Sequence, residues 1–114
     1  MNLPAKEKKI DFTCVGSITK QEFKGAFTIK ILTALERSRV EVRVDYLNMG
    51  VVVPNAMSAI YHKKLSHVQF AIKESPEWWS KTQGEDLLDD NIVQALYEQV
   101  IAFENEWYES IWGK

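Results

Sequence analysis

Two histidines and one cysteine are the side chains of this sequence best suited to chemistry. His62 and His67 are five residues apart, a spacing that on a helix turns their rings about 140° away from each other. They belong to no His-Glu-x-x-His motif, so we expect surface or half-buried histidines rather than zinc ligands. Cys14 has no histidine near it in sequence to help form a thiolate, and we expect a core thiol. We therefore predict no catalytic residue, no metal ligand, no cofactor and no enzyme activity.

Carboxylates are concentrated just before the last predicted helix, at Glu85, Asp86, Asp89 and Asp90. Such oxygen ligands can bind Ca²⁺, but the segment lacks the Asp-x-Asp-x-Asp-Gly order of a calcium loop. Acidic residues at this place also interact favourably with the dipole of the helix that follows. We therefore expect Asp89 or Asp90 to cap that helix.

Basic residues are scattered, and two of them can share a face of the first predicted helix. Arg39 and Arg43 have Glu36 and Glu41 close by, which is typical of a solvated, salt-bridged surface. The chain has 14 basic and 16 acidic residues and a net charge of -2, so no global field attracts nucleic acid or anionic lipid. We expect neither as a partner, and RNA binding stays a minor alternative.

Large aromatic residues are concentrated in the last third of the chain. Trp78 and Trp79 are adjacent, as are Trp107 and Tyr108, so both members of a pair cannot point into the same small core. Two interpretations stay open: these residues fill the core and cover the sheet, or some of them form an exposed patch for another protein. The predicted protein-binding residues are Trp78, Trp79, Tyr108, Trp112, Arg39 and Arg43.

The N-terminal third predicts a β-hairpin that would need cover from the rest of the chain. Residues 1–9 are polar and basic, and we expect a short flexible arm. Apolar and polar residues then alternate in two runs, around Phe12 and around Phe27, as in half-buried strands. Gly25 interrupts the second run, which fits a bulge or an aromatic ring over bare backbone. A hairpin over residues 10–31 is marginal alone and requires helices on its apolar face.

The first predicted helix is the most ambiguous element. Thr33 and Glu36 have the spacing of a capping box, in which each side chain satisfies the other's backbone donor. Three valines in the body alternate as in a strand, whereas a second set repeats at helical spacing: Leu35, Arg39, Val42, Tyr46 and Met49. We favour a helix over about 33–49, with Gly50 as its stop and 51–54 as a connector.

Three further helices are predicted, over about 55–73, 76–81 and 90–112. Asn55 is a suitable N-cap, and Ser75-Pro76-Glu77 is a favourable helix start. The last helix has an apolar stripe for the core, which consists of Val93, Leu96, Val100, Phe103, Trp107 and Ile111. The predicted fold is α+β: one domain over residues 10–114, with an N-terminal β-hairpin packed on a small bundle of three to four helices.

Length and composition support one folded domain. The chain has 114 residues, of which 46% are hydrophobic and 26% charged. It can therefore bury a hydrophobic core without disulfides or structural metals. Its lone cysteine excludes an internal disulfide. No signal peptide and no stretch of ~20 apolar residues is present, so we expect a soluble protein of the cytoplasm.

Four segments carry a resemblance to a known family: K-G-x-F-T-I-K at Lys24–Lys30, L-T-x-L-E-R at Leu32–Arg37, S-P-E-W-W at Ser75–Trp79, and D-x-N-I-V-Q-A-L-Y-E followed by F-E-x-E-W at Asp89–Trp107. In this order they resemble the tail assembly chaperones of long-tailed bacteriophages. The resemblance implies a small α+β protein of the infected host's cytoplasm that binds the long helical tape measure protein. It also implies help in assembling the tail tube protein around that client, and self-association into a homo-oligomer. Some members are extended at the C-terminus by ribosomal frameshifting, which a protein sequence does not reveal.

Two alternatives belong to other classes of protein. One is a small structural or adaptor subunit of a phage particle or complex, which would remain in purified virions, whereas a chaperone leaves the finished tail. The other is a small enzyme, which would require a conserved polar pocket.

Overall fold

The structure, a computed structural model, describes residues 3–49 and 55–113. Gly50 and the connector 51–54, predicted above, lie outside the described residues, as do Met1, Asn2 and Lys114. The elements follow in the order β1 (Glu7–Val15), β2 (Glu22–Lys30), α1 (Ala34–Leu47), α2 (Ala56–Ala71), β3 (Ile72–Glu74), α3 (Glu77–Ser80) and α4 (Asp90–Trp112). This order confirms the α+β class, with an N-terminal hairpin followed by four helices.

The hairpin is antiparallel, with Phe12 directly opposite Gly25. Alternate residues face the helices, and Phe12, Phe27 and Ile29 are buried. β1 begins at Glu7, three residues before the predicted start, so Glu7–Lys9 belong to the sheet and not to an arm. Charged side chains on the outer face do not prevent this, because strand pairing uses the backbone.

A third strand, which was not predicted, completes the sheet. β3 pairs antiparallel with β2, so that β2 is the central strand of the order β1-β2-β3. The second long helix, predicted to run to about residue 73, ends at Ala71.

Gly25 is a point of close approach, but not to an aromatic ring. A Cβ atom at Gly25 would lie 2.8 Å from both Cβ and Cγ of Pro76. The register of β1 and β2 continues through Gly25 without a shift, so there is no bulge. The predicted bulge or aromatic contact is therefore corrected to a proline packed on bare backbone, which brings α3 against the hairpin.

The helices form two layers over the inner face of the sheet. α4 lies against β1 and β2, α2 contacts α4 and β3, and α1 packs on α2. Two predicted caps are present: the Thr33–Glu36 capping box starts α1, and the Asn55 side chain accepts from backbone amides in the first turn of α2. The predicted start of α3 is corrected, because Pro76 and not Ser75 holds the N-cap position, without a side-chain bond. Most of the predicted α4 stripe is buried, namely Val93, Leu96, Val100 and Phe103. No helix in the described ranges is long and apolar enough to cross a membrane.

Candidate protein-binding site

The adjacent tryptophans of α3 both contribute to the interior. Trp79 is only 2% exposed, with its ring centroid 6.3 Å from that of Phe27. Trp78 is half-buried, with its ring centroid 5.6 Å from the same Phe27 ring and 5.1 Å from the Phe23 ring. Its indole N–H donates to the Lys24 carbonyl oxygen at 3.0 Å. Both rings approach Phe27, so the expectation that these adjacent tryptophans cannot point into the same core is wrong. Trp79 is therefore corrected from a binding residue to a core residue, and Trp78 anchors α3 to β2.

The end of α4 carries an aromatic pair, the half-buried Tyr108 and the exposed Trp112. Their rings are stacked with centroids 5.0 Å apart, and Trp112 is 75% exposed. The Tyr108 hydroxyl accepts a hydrogen bond from the Arg37 guanidinium at 3.3 Å. Trp107, one residue earlier, is instead half-buried and donates to the Pro4 carbonyl oxygen at 3.2 Å. We call Tyr108 and Trp112 the C-terminal aromatic pair.

One side of α1 presents apolar residues to solvent. The residues whose helical spacing favoured a helix at this place are all exposed, and we call them the α1 outer face: Leu35, Arg39, Val42, Tyr46 and Met49. Met49 follows the end of the helix, because α1 ends at Leu47 and not at the predicted residue 49. The opposite side of the helix faces the core with Val40 buried and with Val44 and Leu47 partly buried. α1 thus has two apolar sides, and its packing on α2 covers only one of them.

A shallow groove borders the α1 outer face. It has a volume of about 360 Å³ and is lined by Val42, Tyr46 and Phe70, with Arg39 and Arg43 beside them. Arg43 lies 4.9 Å over the Tyr46 ring and also pairs with the Glu85 carboxylate. Arg39 has no ion pair with any described residue. The predicted arginines therefore share one side of α1 with exposed apolar groups, which sequence reasoning had not assigned to a surface.

The acidic segment before α4 is occupied by structural contacts. Asp89 is fully buried, and its carboxylate accepts from the Thr19 hydroxyl at 2.6 Å and from the backbone amides of Ile18 and Thr19 at 2.6 and 2.8 Å. The hydroxyl first, and then these amides, lower the pKa of Asp89. Asp89 occupies the predicted N-cap position, but its side chain makes no capping bond.

The remaining candidates for chemistry are separated from one another. His62 contacts the Asn48 side chain at 2.6 Å, and His67 contacts Glu104 at 2.6 Å. Cys14 is half-buried, and its sulfur lies 3.7 Å from the Asn91 side-chain nitrogen. Among residues 3–49 and 55–113, no three metal-ligating side chains converge. The groove beside the α1 outer face offers a ligand apolar and aromatic contact, with arginine beside it.

No protein-family model, no curated protein and no solved structure matches this chain. A function must therefore be argued from its own residues, and above all from the α1 outer face and the C-terminal aromatic pair.

Proposed function

We propose that this chain is a tail assembly chaperone of a long-tailed bacteriophage. It binds the tape measure protein in the cytoplasm of the infected host and assists assembly of the tail tube, without catalysis and without a cofactor. The proposal starts from the four resembling segments, which run from Lys24 to Trp107. It is supported by exposed surfaces of the kind that a binding protein needs.

The α1 outer face is the observation that carries the proposal. Apolar residues in one helical row, exposed next to a groove, are typical of surfaces that another protein covers. A long amphipathic helix places apolar side chains at three- and four-residue steps, and such a row fits along a helix and its adjoining groove. A tape measure protein, as the resemblance implies, is a long helical client with such faces. Covering them before the tail tube forms would keep the client from aggregating.

The arginines of α1 predict the charge of the client segment. Arg39 stands within the apolar row and has no ion pair with a described residue, while Arg43 closes one side of the groove. Acidic residues that flank the apolar stripe of the client would meet the Arg39 guanidinium, because Arg43 is already paired with Glu85. The client segment bound here is therefore an amphipathic helix with an acidic border.

The test is co-expression with the tape measure protein of the same phage, followed by capture through a tag on this chain. The wild-type chain retains the client. A Val42→Ala, Tyr46→Ala variant removes two apolar contacts at the centre of the α1 outer face, and we expect retention to fall by about tenfold or more.

The matched control is Ile18→Ala on the hairpin turn, because Ile18 is 66% exposed and Val42 is 68% exposed. The control should retain the client as well as the wild type does. Equal retention by all three proteins would overturn the assignment of the site to α1, and no retention by the wild type would overturn the proposed function. Recovery of the chain in purified virions at a stoichiometry like that of tail proteins would instead support the structural-subunit alternative.

A further inference from the structure

The strand β1 has a free edge whose outward-facing residues follow from the register. The Gly16 amide donates to the Gln21 carbonyl oxygen and the Ile31 amide to the Lys6 carbonyl oxygen, both at 2.8 Å. These two bonds lie in register with all the pairs of β1 and β2 between them, so the even-numbered residues of β1 form the hydrogen-bonded pairs with β2. The odd-numbered residues therefore direct their N–H and C=O groups away from β2.

Four of those outward-facing residues have no backbone partner among the described residues: Glu7, Lys9, Asp11 and Thr13. The two ends of the edge are held by α4. The Asn91 side chain donates to the Val15 carbonyl oxygen at 2.9 Å, and the Trp107 indole donates to the Pro4 carbonyl oxygen at 3.2 Å. Between these ties the strand has no proline and no bulge. Its edge protection is the charge of Glu7, Lys9 and Asp11, which disfavours pairing with a strand of unmatched charge.

The other edge of the hairpin, along β2, is covered. β3 pairs with one part of β2, and the Trp78 indole donates to the Lys24 carbonyl oxygen at 3.0 Å. The outer edge of β2 is thus covered by strand and side chain, whereas the middle of β1 stays open. An open edge of this length is a template for another strand.

We propose that a second copy of this chain pairs with β1 through its own β1, antiparallel, about a twofold axis at Ile10. This is the register that joins all four outward-facing residues of one copy to those of the other, because 7 then faces 13 and 9 faces 11. It forms four hydrogen-bonded pairs and extends the 3-stranded sheet to six strands. The symmetric interface is closed, so two copies complete it.

Charge complementarity selects the second copy as the occupant in this register. Lys9 of each copy lies opposite Asp11 of the other, so the pair occurs twice on the outer face. A shift of the axis by one residue would place Asp11 against Asp11, or Lys9 against Lys9, which is unfavourable for directly opposed residues. On the inner face, Ile10 meets Ile10 at the axis, next to α4. Two β1 strands therefore have complementary charges in this register and like charges opposite each other in the neighbouring registers.

The first experiment exchanges the charges and measures association by sedimentation velocity across a range of concentrations. The wild type should show a reversible monomer–dimer equilibrium. Lys9→Asp and Asp11→Lys each turn both attractive pairs into repulsive ones, and we expect each to weaken dimerisation by about tenfold or more. Both side chains are exposed, so the variants should remain folded.

Mixing the two single variants gives the decisive result. A Lys9→Asp chain and an Asp11→Lys chain carry complementary edges, so the mixture should dimerise although each protein alone does not. The double variant K9D/D11K should dimerise by itself. A wild type that stays monomeric at high concentration, or a dimer indifferent to these changes, would overturn the proposal.

The second experiment tests the register by cross-linking. In antiparallel pairs that are not hydrogen-bonded, opposed Cα atoms lie about 4.5 Å apart, within the span of a disulfide. Ile10→Cys in a Cys14→Ser background should therefore form an interchain disulfide under a mild oxidant. Thr13→Cys in the same background should not, because position 13 faces position 7. Cross-linking of Thr13→Cys in place of Ile10→Cys would overturn the register. The outcome is independent of client capture, so this inference and the proposed function can fail separately.

Discussion

At the scale of single residues, Asp89 joins the hairpin turn to the start of α4. Its carboxylate accepts three hydrogen bonds from Ile18 and Thr19, about seventy positions earlier in the chain. A Cβ atom at Gly16 would overlap the same carboxylate, so a glycine there permits the approach. The Asn91 side-chain oxygen also accepts a hydrogen bond from the Ser17 amide at 2.9 Å. The turn is therefore fixed to the helix by charge-assisted bonds.

We predict that Asp89→Asn destabilises the fold in a pH-dependent way. The pKa of Asp89 is lower in the folded chain than its ordinary value of 3.8, so ionisation favours folding. This stabilisation is complete above the ordinary value and is lost as the pH falls through the lowered native pKa. Urea unfolding at several pH values measures the difference in the free energy of unfolding between wild type and variant. We expect this difference to be largest near neutral pH and to decrease in acid.

The control for this measurement is Asp45→Asn, which removes an exposed carboxylate from α1. Its difference from the wild type should stay small at every pH. A constant gap between Asp89→Asn and the wild type down to strong acid would show that the carboxylate charge does not stabilise the turn.

Replacing a tryptophan by alanine should have very different effects on stability in α3 and in α4. Trp79→Ala empties a space in the core and should lower the free energy of unfolding by about 3–5 kcal/mol. Trp112→Ala removes an exposed ring and should change it by less than about 0.5 kcal/mol. Chemical denaturation followed by far-ultraviolet circular dichroism measures both without relying on tryptophan fluorescence. A large loss for Trp112→Ala would place the C-terminal aromatic pair in the core.

The position of a residue on its helix or strand could be predicted from the sequence, whereas its tertiary contacts could not. The adjacency of Trp78 and Trp79 predicts that only one ring points into the core, but α3 lies where both rings reach Phe27. The N-cap position of Asp89 is readable from local pattern, whereas its bonds to Thr19 require the folded arrangement of distant segments. Local rules place a side chain on an element and leave its tertiary contacts open.

At the scale of elements, the contact between β2 and the start of α3 depends on a missing side chain. Gly25→Ala would place a methyl group 2.8 Å from Pro76, and we expect a loss of about 1–3 kcal/mol in the free energy of unfolding. The control is Ala26→Thr, one residue along the same strand on the exposed face, which should be nearly neutral. Equal stability of Gly25→Ala and the wild type would mean that Pro76 moves away without cost.

The helices were predicted from their caps, and the remaining elements show why the sheet was harder. Thr33 with Glu36 and Asn55 mark helix starts by local hydrogen bonds, and the structure has both. β3 was missed because Ile72 continues the apolar spacing of α2, and a strand of three residues has no period of its own. The exposed side of α1 was not foreseen because apolar residues on two faces fit a helix in either orientation.

At the scale of the whole molecule, the fold has a tightly packed centre and a peripheral helix. α4 buries Ile92, Val93, Leu96, Val100 and Phe103. α1 has Val40 as its one fully buried residue among those described. Polar contacts add to its attachment: Glu36 pairs with Lys30, Arg43 with Glu85, and Arg37 donates to Tyr108. Exposed or half-exposed pairs of this kind contribute little, so α1 is held mainly by one side against α2.

This arrangement predicts that α1 opens before the rest of the molecule. Regions with few buried apolar contacts exchange their amide hydrogens through local opening, whereas core elements exchange only on global unfolding. In native-state hydrogen exchange, the amides of α1 should show lower protection than those of the α4 centre and little dependence on added urea. The α4 amides should show the full urea dependence of global unfolding. If client binding covers the α1 outer face, addition of the tape measure segment should raise protection in α1 first. Protection of α1 equal to that of α4 in the free protein, with the same urea dependence, would show that α1 unfolds only together with the whole domain.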